Sequence, residues 1–252
     1  TIRKEASINR EMACLRHMLN KGLQWEMIER NPFDQGKGLK LKENNARLRY
    51  LSEDEITRLQ DSCTLYLRNI VDCALNTGMR KGEILSLKWS QIKDGAVYLR
   101  KTKTDESRQI PVNDTLKEVF DNLKQNGEPT NLKRLDGKKV LPAKPKTDHV
   151  FTLEGKPLKD VKRVFEKALK KAKIENFTFH DIRHTFASHL IMNGATIKDV
   201  QELLGHKDIK MTMRYSHLSQ EHKLKAVNLL NGLTGGKKPE KDENLSESSQ
   251  IF

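Results

Sequence analysis

The sequence predicts a mainly α-helical chain with a small antiparallel β-sheet, an α+β arrangement. Three observations carry that expectation. Apolar residues recur at helical spacing in most segments long enough to hold a helix. Strand patterning is confined to Val97-Tyr98-Leu99 and Gln109-Ile110-Pro111-Val112, which flank a polar, turn-rich segment. The sequence also shows no internal repeat and no coiled-coil heptad. At 252 residues the chain is long enough for one large domain, or for one domain with a smaller appendage.

From Ile8 to Ile28, the residues Met12, Leu15, Met18, Leu19, Leu23 and Trp25 fall at roughly helical spacing, giving one or two helices that Asn31-Pro32 stops. Asp34 to Arg49 contains Gly36, Gly38, Asn44 and Asn45 among basic residues and reads as an exposed linker. Residues 1–45 are therefore expected to form the end of a helical module plus that linker, and residues 46–234 a second domain. Ser52-Glu53-Asp54-Glu55 is a capping-box pattern directly before Ile56 and Leu59, so a helix starts there. A helix from about Leu65 to Leu75 runs into Thr77-Gly78, and another from Arg80 to about Trp89 turns Ile84, Leu85 and Leu87 inward. The two strands follow, with Lys103 near their bend, and Pro111 argues for an edge position because proline cannot donate to a neighbouring strand.

Helices at about Asp114 to Gln125 and Lys159 to Lys173 flank a segment from Asn126 to Thr147 that reads as a surface excursion. After His180 a helix ends at Asn193-Gly194, a second runs from Ile197 to Leu204 and is closed by Gly205, and a short one spans Met211 to Tyr215. From residue 235 to 252 the chain turns rich in Lys, Glu and Ser and reads as a flexible tail.

A formal charge of +13, spread along the sequence, favours a polyanionic partner, with nucleic acid leading. No long apolar run, signal peptide or lipidation motif points to a membrane, so the expected setting is soluble and intracellular. Cys14, Cys63 and Cys73 have no C-x-x-C spacing and read as reduced thiols in packed helices. The eight histidines match no metal-ligand spacing, and no phosphate-binding glycine loop is present, so neither a metal nor an energy cofactor is expected.

The chemistry-bearing residues are His180-Asp181-Ile182-Arg183, then His206 and Tyr215, with Arg80 and Lys103 earlier in the chain. At i and i+3, His180 and Arg183 share a helix face, while Ile182, Phe186 and Leu190 can pack opposite. Arg80 follows Gly78-Met79 at a helix start, where free N–H groups favour an anion such as phosphate. None of these residues is specific alone. Arg80 by itself reads as a solvated helix start and Tyr215 as a half-buried ring with a wet hydroxyl. His184, His189 and His217 read as packing or surface groups, and Lys101 competes with Lys103.

Taken together and in chain order, these residues resemble the catalytic set of the tyrosine recombinases of phage integrase type, which runs Arg, Lys, His-x-x-Arg, His or Trp, Tyr. The motifs are TGMRKGE around Arg80, TKTDESRQIPV around Lys103, HDIRHTFASHL around His180 and Arg183, and LLGHKDIKMTMRYSHL around His206 and Tyr215. Tyr215 lies nine residues after His206, and Pro111 eight after Lys103, as in the family pattern. The likeness runs from about Leu48 to Leu230.

The resemblance implies the catalytic-domain fold of that family, preceded by the C-terminal part of a helical core-binding domain, with an arm-binding domain missing so that the chain reads as a fragment. It implies Tyr215 as nucleophile, Arg80 and Arg183 as clamps on the phosphate oxygens, and Lys103 as general acid. His180 would be base or proton holder, and His206 a hydrogen-bond donor to the phosphate. Glu83 would orient Arg80 or a neighbour. The implied reaction is metal-free, ATP-independent cleavage and rejoining of DNA through a 3′-phosphotyrosyl link, serving a mobile element or phage.

The implied partners are double-stranded DNA attachment sites with inverted half-sites and a homotetramer across two synapsed duplexes. The resemblance leaves open a monomeric free state and accessory DNA-bending proteins. The implied setting is the bacterial cytoplasm, at the nucleoid during action. Two rivals stand beside this reading. A type IB topoisomerase is disfavoured by the compact size and the LLGHKD run, and a non-catalytic DNA-binding module by the intact residue set.

Overall fold

The computed structural model describes residues 3–34, 40–43, 48–100, 107–126, 147–153, 155–218, 227–228 and 230. Two compact units divide the chain, Thr1–Leu48 and Arg49–Phe252.

In the first unit, α1 (Glu5–Gln24) is a single helix that buries none of its residues. Its end is set by Trp25 and by Glu26 at φ 56°, a left-handed residue that no helix can continue through. Trp25 and Met27 are 67 % and 73 % exposed. Asn9 ties the linker to this helix, its amide donating to the Leu41 carbonyl and its carbonyl accepting the Leu41 N–H, both at 2.9 Å.

The second unit begins at α2 (Glu53–Ser62). Ser52 Oγ accepts the Glu55 N–H at 3.2 Å and the Glu55 carboxylate accepts the Ser52 N–H at 3.1 Å, the reciprocal cap that the sequence pattern predicts. The centre of the core is α3 (Leu65–Thr77), which buries Leu67, Ile70, Val71, Cys73 and Ala74. It packs against α5 (Asp114–Asn126) and α7 (Asp181–Met192).

Between α3 and α5 lie α4 (Lys81–Leu85) and the strands β1 (Ile92–Lys93), β2 (Ala96–Leu99) and β3 (Arg108–Pro111). They form an antiparallel sheet in the order β1-β2-β3, with Val97 opposite Ile110 and Leu99 opposite Arg108. Pro111 thus sits on an edge strand, as expected. A second antiparallel pair, β4 (Thr152–Leu153) and β5 (Lys156–Pro157), precedes α6 (Lys162–Lys171). The chain then runs through α7, α8 (Ile197–Leu204) and α9 (Lys210–Met213).

Two local expectations shift for reasons that the packing shows. The helix expected from Arg80 to Trp89 starts one residue later and stops at Leu85. The next residues are drawn away, because Leu87 O accepts from Val150 N and Trp89 N donates to Asp148 O, both at 2.9 Å, so a distant segment takes the groups a longer helix would need. α6 starts at Lys162 rather than Lys159, where the Asp160 carboxylate accepts the Val161 N–H at 2.9 Å. β1, β4 and β5 are each two residues long, too short to show alternation. The surface excursion lies largely, and the tail from 235 wholly, outside the described residues. Among the described residues no helix is long and apolar enough to cross a membrane.

Candidate active site

The ends of α3 and α8 meet at one side chain. Arg183, on α7, is 4 % exposed; its Nη1 donates to Gly78 O at 2.8 Å and its Nη2 to Leu204 O at 2.6 Å. Gly78 caps α3 and Leu204 is the last residue of α8, so the guanidinium receives the negative ends of two helix dipoles. Burial, then the charges of Arg80 and Arg108, push its pKa down to about 9, which still leaves it charged at neutral pH.

Gly78 is required for this junction. It sits at φ 60°, and a Cβ there would lie 2.4 Å from Phe186 Cδ1 and 2.9 Å from Leu204 Cδ2.

Arg80 is the cap of α4, in extended backbone, rather than its first helical residue. Its N–H donates to Glu83 Oε2 at 2.8 Å and its Nη1 lies 3.7 Å from Glu83 Oε1, with the side chain about one third exposed. Glu83 in turn accepts two bonds from Arg108, 2.7 Å to Nη2 and 3.2 Å to Nη1. Burial alone would raise the Glu83 pKa, but the Arg108 donors, the Arg108 charge and the Arg80 N–H outweigh it and hold the carboxyl below the ordinary range. The Arg108 side chain is only 4 % exposed and runs over Gly205, where a Cβ would meet its Cδ at 2.9 Å.

His206 follows Gly205, the left-handed cap of α8, and its Nδ1 hydrogen-bonds Thr212 Oγ1 at 2.9 Å. Burial, then Arg183, Arg80 and Arg108, press its pKa down to about 3, so the ring is neutral. A cleft of about 500 Å³ beside it is lined by Arg108, Gly205, His206, Lys198 and Lys207. His180 precedes α7 and lines a second cleft, about 430 Å³, with Arg80, Lys81 and Lys162. Its pKa is lowered by burial and then by Arg183.

Tyr215 follows α9 and is 1 % exposed. Its hydroxyl is 2.6 Å from His184 Nδ1, and the two ring centroids are 5.9 Å apart. A positive surrounding is expected to ease loss of the phenolic proton, but burial outweighs Arg214 and Arg183 and pushes the pKa up to about 12. The structure therefore holds Tyr215 as a neutral phenol.

Arg80, His180, Arg183, His206 and Glu83 thus gather around the α3, α7 and α8 ends, with Tyr215 joined to α7 through His184. Lys103 and its competitor Lys101 lie outside the described residues. The strand ends nearest them, Leu99 and Arg108, are paired, and Arg108 reaches the Glu83 carboxylate.

Two members of this cluster are absent from the sequence-level set. His184, read there as a packing or surface group, contacts the Tyr215 hydroxyl. One signal is present: His180, at the cap of α7, and His184, on that helix, are four apart and face the same way, with rings edge-on at 5.3 Å. Arg108 gives no such signal, since an arginine on an edge strand is ordinarily solvated. Among the described residues no group of three or more His, Cys, Asp or Glu side chains could hold a metal ion.

The phage integrase family model matches residues 49–222. The integrase of Salmonella phage P22 is 32% identical over 230 residues, covering 89% of this chain and 56% of that protein. The integrase of Haemophilus phage HP1 is 36% identical over 235 residues, covering 89% of this chain and 59% of that protein. A tyrosine recombinase XerC of Lacticaseibacillus casei is 29% identical over 230 residues, covering 86% and 73%. The chain therefore spans less than two thirds of the length of the two phage integrases.

Among solved structures, the catalytic domain of bacteriophage HP1 integrase superposes with a TM-score of 0.56 at 33% identity, covering 76% of this chain and 99% of that one. A lambda integrase dimer bound to a COC' core site reaches 0.65 at 24% identity, covering 82% and 74%, a likeness of fold alone.

Proposed function

Since its residues 49–222 match that family's model, the chain belongs to the phage integrase family, and we propose that it cleaves and rejoins DNA strands through a 3′-phosphotyrosyl link to Tyr215. The observation that carries this reading is the buried Arg183, close enough to both Arg80 and Tyr215 to interact with their charges, on the helix whose His184 holds the Tyr215 hydroxyl.

The chemistry follows from the donors. A guanidinium has five N–H groups. Arg183 gives two bonds to main-chain carbonyls, which fix its plane, and its remaining face serves the non-bridging oxygens of the phosphate. Arg80, held by Glu83, supplies the second cation. Preorganised charge of this kind stabilises the trigonal-bipyramidal transition state, where negative charge gathers on those oxygens. His180 holds a proton beside the phosphate. His206, its Nδ1 bonded to Thr212, presents its other ring nitrogen as a hydrogen-bond donor. Lys103, assigned by its spacing from Pro111 in the sequence, protonates the departing 5′-oxygen.

With these cations in place the reaction needs neither a metal nor ATP, because the energy of the broken ester is kept in the tyrosyl ester. Residues 1–45 belong to a core-binding domain and residues 46–234 to the catalytic domain, and each binds duplex DNA. The net charge of +13 supports that grip, and its phosphate contacts weaken with salt. One lambda integrase relative is a dimer on a core site, and a Tn1549 transposon integrase relative is in complex with circular intermediate DNA. As the working assembly we propose a tetramer on paired half-sites, acting for a phage or other mobile element in the cytoplasm.

The test is a denaturing gel of the protein mixed, in EDTA, with nicked suicide duplexes drawn from a pool of candidate attachment sequences. A covalent adduct that Tyr215→Phe abolishes is the expected result. Footprinted binding with no adduct would overturn the catalytic reading in favour of a silent DNA-binding module.

A further inference from the structure

His184 lies outside the catalytic set to which the resemblance gives roles, yet its ring nitrogen meets the tyrosine hydroxyl at 2.6 Å, the short end of the hydrogen-bond range. We propose that His184 is a further catalytic residue, whose Nδ1 receives the proton of Tyr215 as the phenol oxygen attacks phosphorus. The proposal depends on the reading of Tyr215 as the nucleophile.

Geometry comes first. His184 is carried by α7 directly after Arg183, on a helix whose Ile182, Arg183, Thr185, Phe186 and Ala187 are all buried, so its ring is placed by a rigid element rather than a loop. The groups that act on it are Arg214, His180, Asp181 and Arg183, with Tyr215 as its hydrogen-bond partner. Burial and then Arg214 and His180 lower its pKa to about 4, against the opposing charge of Asp181. A neutral imidazole with its hydrogen on Nε2 leaves the Nδ1 lone pair to accept, and the phenol is then the donor.

Tyr215 and His184 are far apart in proton affinity while the phenol is intact, which keeps the proton on oxygen at rest. As the oxygen bonds to phosphorus it loses electron density and becomes strongly acidic, and only then does the proton pass. The resting site thus carries no exposed tyrosinate.

The step balances. The Tyr215 Oη–P bond forms and the P–O5′ bond breaks. The phenolic proton moves to His184 Nδ1, giving imidazolium, and the 5′-oxygen takes a proton from the general acid, assigned to Lys103. Religation runs the same path backwards, with His184 returning its proton to Tyr215. His180 is then left to the phosphate.

The experiment is single-turnover adduct formation on those nicked duplexes that the wild-type protein cleaves. It uses both a normal phosphodiester and a 5′-bridging phosphorothiolate, whose thiolate leaves without a proton. His184→Gln can still accept a hydrogen bond but cannot take a proton, and should slow cleavage of both substrates by roughly a hundredfold or more. Lys103→Ala should be slow only on the normal one. Added imidazole should restore much of the rate to His184→Ala, which keeps the test valid if the Gln variant fails to fold.

Cleavage by His184→Gln at close to the wild-type rate would overturn the proposal. So would a defect that the phosphorothiolate relieves, or an Ala variant that imidazole leaves unrescued. Absence of any Tyr215-dependent adduct from the wild-type protein would instead overturn the nucleophile assignment beneath it.

Discussion

Arg108→Met should unfold the second unit more easily by about 3 kcal/mol, the low end of the cost of removing one partner from a buried ion pair. The Arg108 and Glu83 side chains are 4% and 15% exposed, and their two bonds are 2.7 and 3.2 Å. The low end applies because Glu83 retains the Arg80 N–H at 2.8 Å and the Arg80 guanidinium at 3.7 Å. For a domain of this size about 1 kcal/mol moves the thermal midpoint by about 2 to 4 °C, so a fall of about 6 to 12 °C is expected by circular dichroism.

Glu83→Gln should cost a comparable amount. The double variant should cost less than the sum by about 2 kcal/mol, because the second change removes a group already without its partner. The pH dependence has a definite sign. The folded Glu83 carboxyl is depressed, so its stabilisation is present above about pH 4.3, the unfolded carboxylate value, and is lost as pH falls through the folded value. In Arg108→Met the buried carboxyl loses its main donors, so acid unfolding begins at higher pH. Urea titrations of the four proteins decide it. Strict additivity, or an Arg108→Met protein as stable as wild type, would refute the argument.

Gly78→Ala should destabilise by about 3 kcal/mol or more, from the left-handed backbone and from a Cβ placed 2.4 Å from Phe186. It should also slow cleavage, since the Gly78 carbonyl holds Arg183, and an unchanged urea midpoint would contradict the packing. His206 is neutral when folded down to about pH 3, whereas in the unfolded chain it takes a proton near pH 6.5. Between those values the unfolded state binds more protons, so stability falls as pH falls, and His206→Asn should flatten the slope of urea stability between about pH 6.5 and 4. Parallel slopes for the two proteins would show that the ring does not titrate this way.

The parts of the fold that could be read from sequence are those set by local chemistry. The Ser52 capping box, the Gly78 and Gly205 left-handed caps and the edge position of Pro111 each follow from one residue's backbone or hydrogen-bonding demands. What escaped depends on distant partners. α4 is short because Leu87 and Trp89 bond to residues 148–150, and nothing near Arg80 in the sequence reports that.

The same division holds in the candidate site. The i, i+3 spacing of His180 and Arg183 is local, but the burial of Arg183 against two helix ends is not, and neither is the pairing of Arg108 with Glu83 across 25 positions. The full burial of Tyr215, read alone as a half-buried ring, escaped for the same reason. Its charged neighbours are visible in the motif, whereas the burial that outweighs them is a property of the packed chain.

The crowding of Arg80, Arg108 and Arg183 around Glu83 makes the site electrostatically loaded. Repulsion among the guanidiniums is a tax on folding that an incoming phosphate would lift. Anions would therefore act as stabilisers of this protein, adding by mass action about 2.7 kcal/mol of folding free energy at a hundredfold excess over the dissociation constant and raising its melting point. Conversely, neutralising one of these arginines without stranding Glu83 would harden the apoprotein while blunting its grip on a polyanion. In such a site resilience and activity are set against each other, and a thermostable variant that has lost Arg80 should be suspected of inactivity before it is prized.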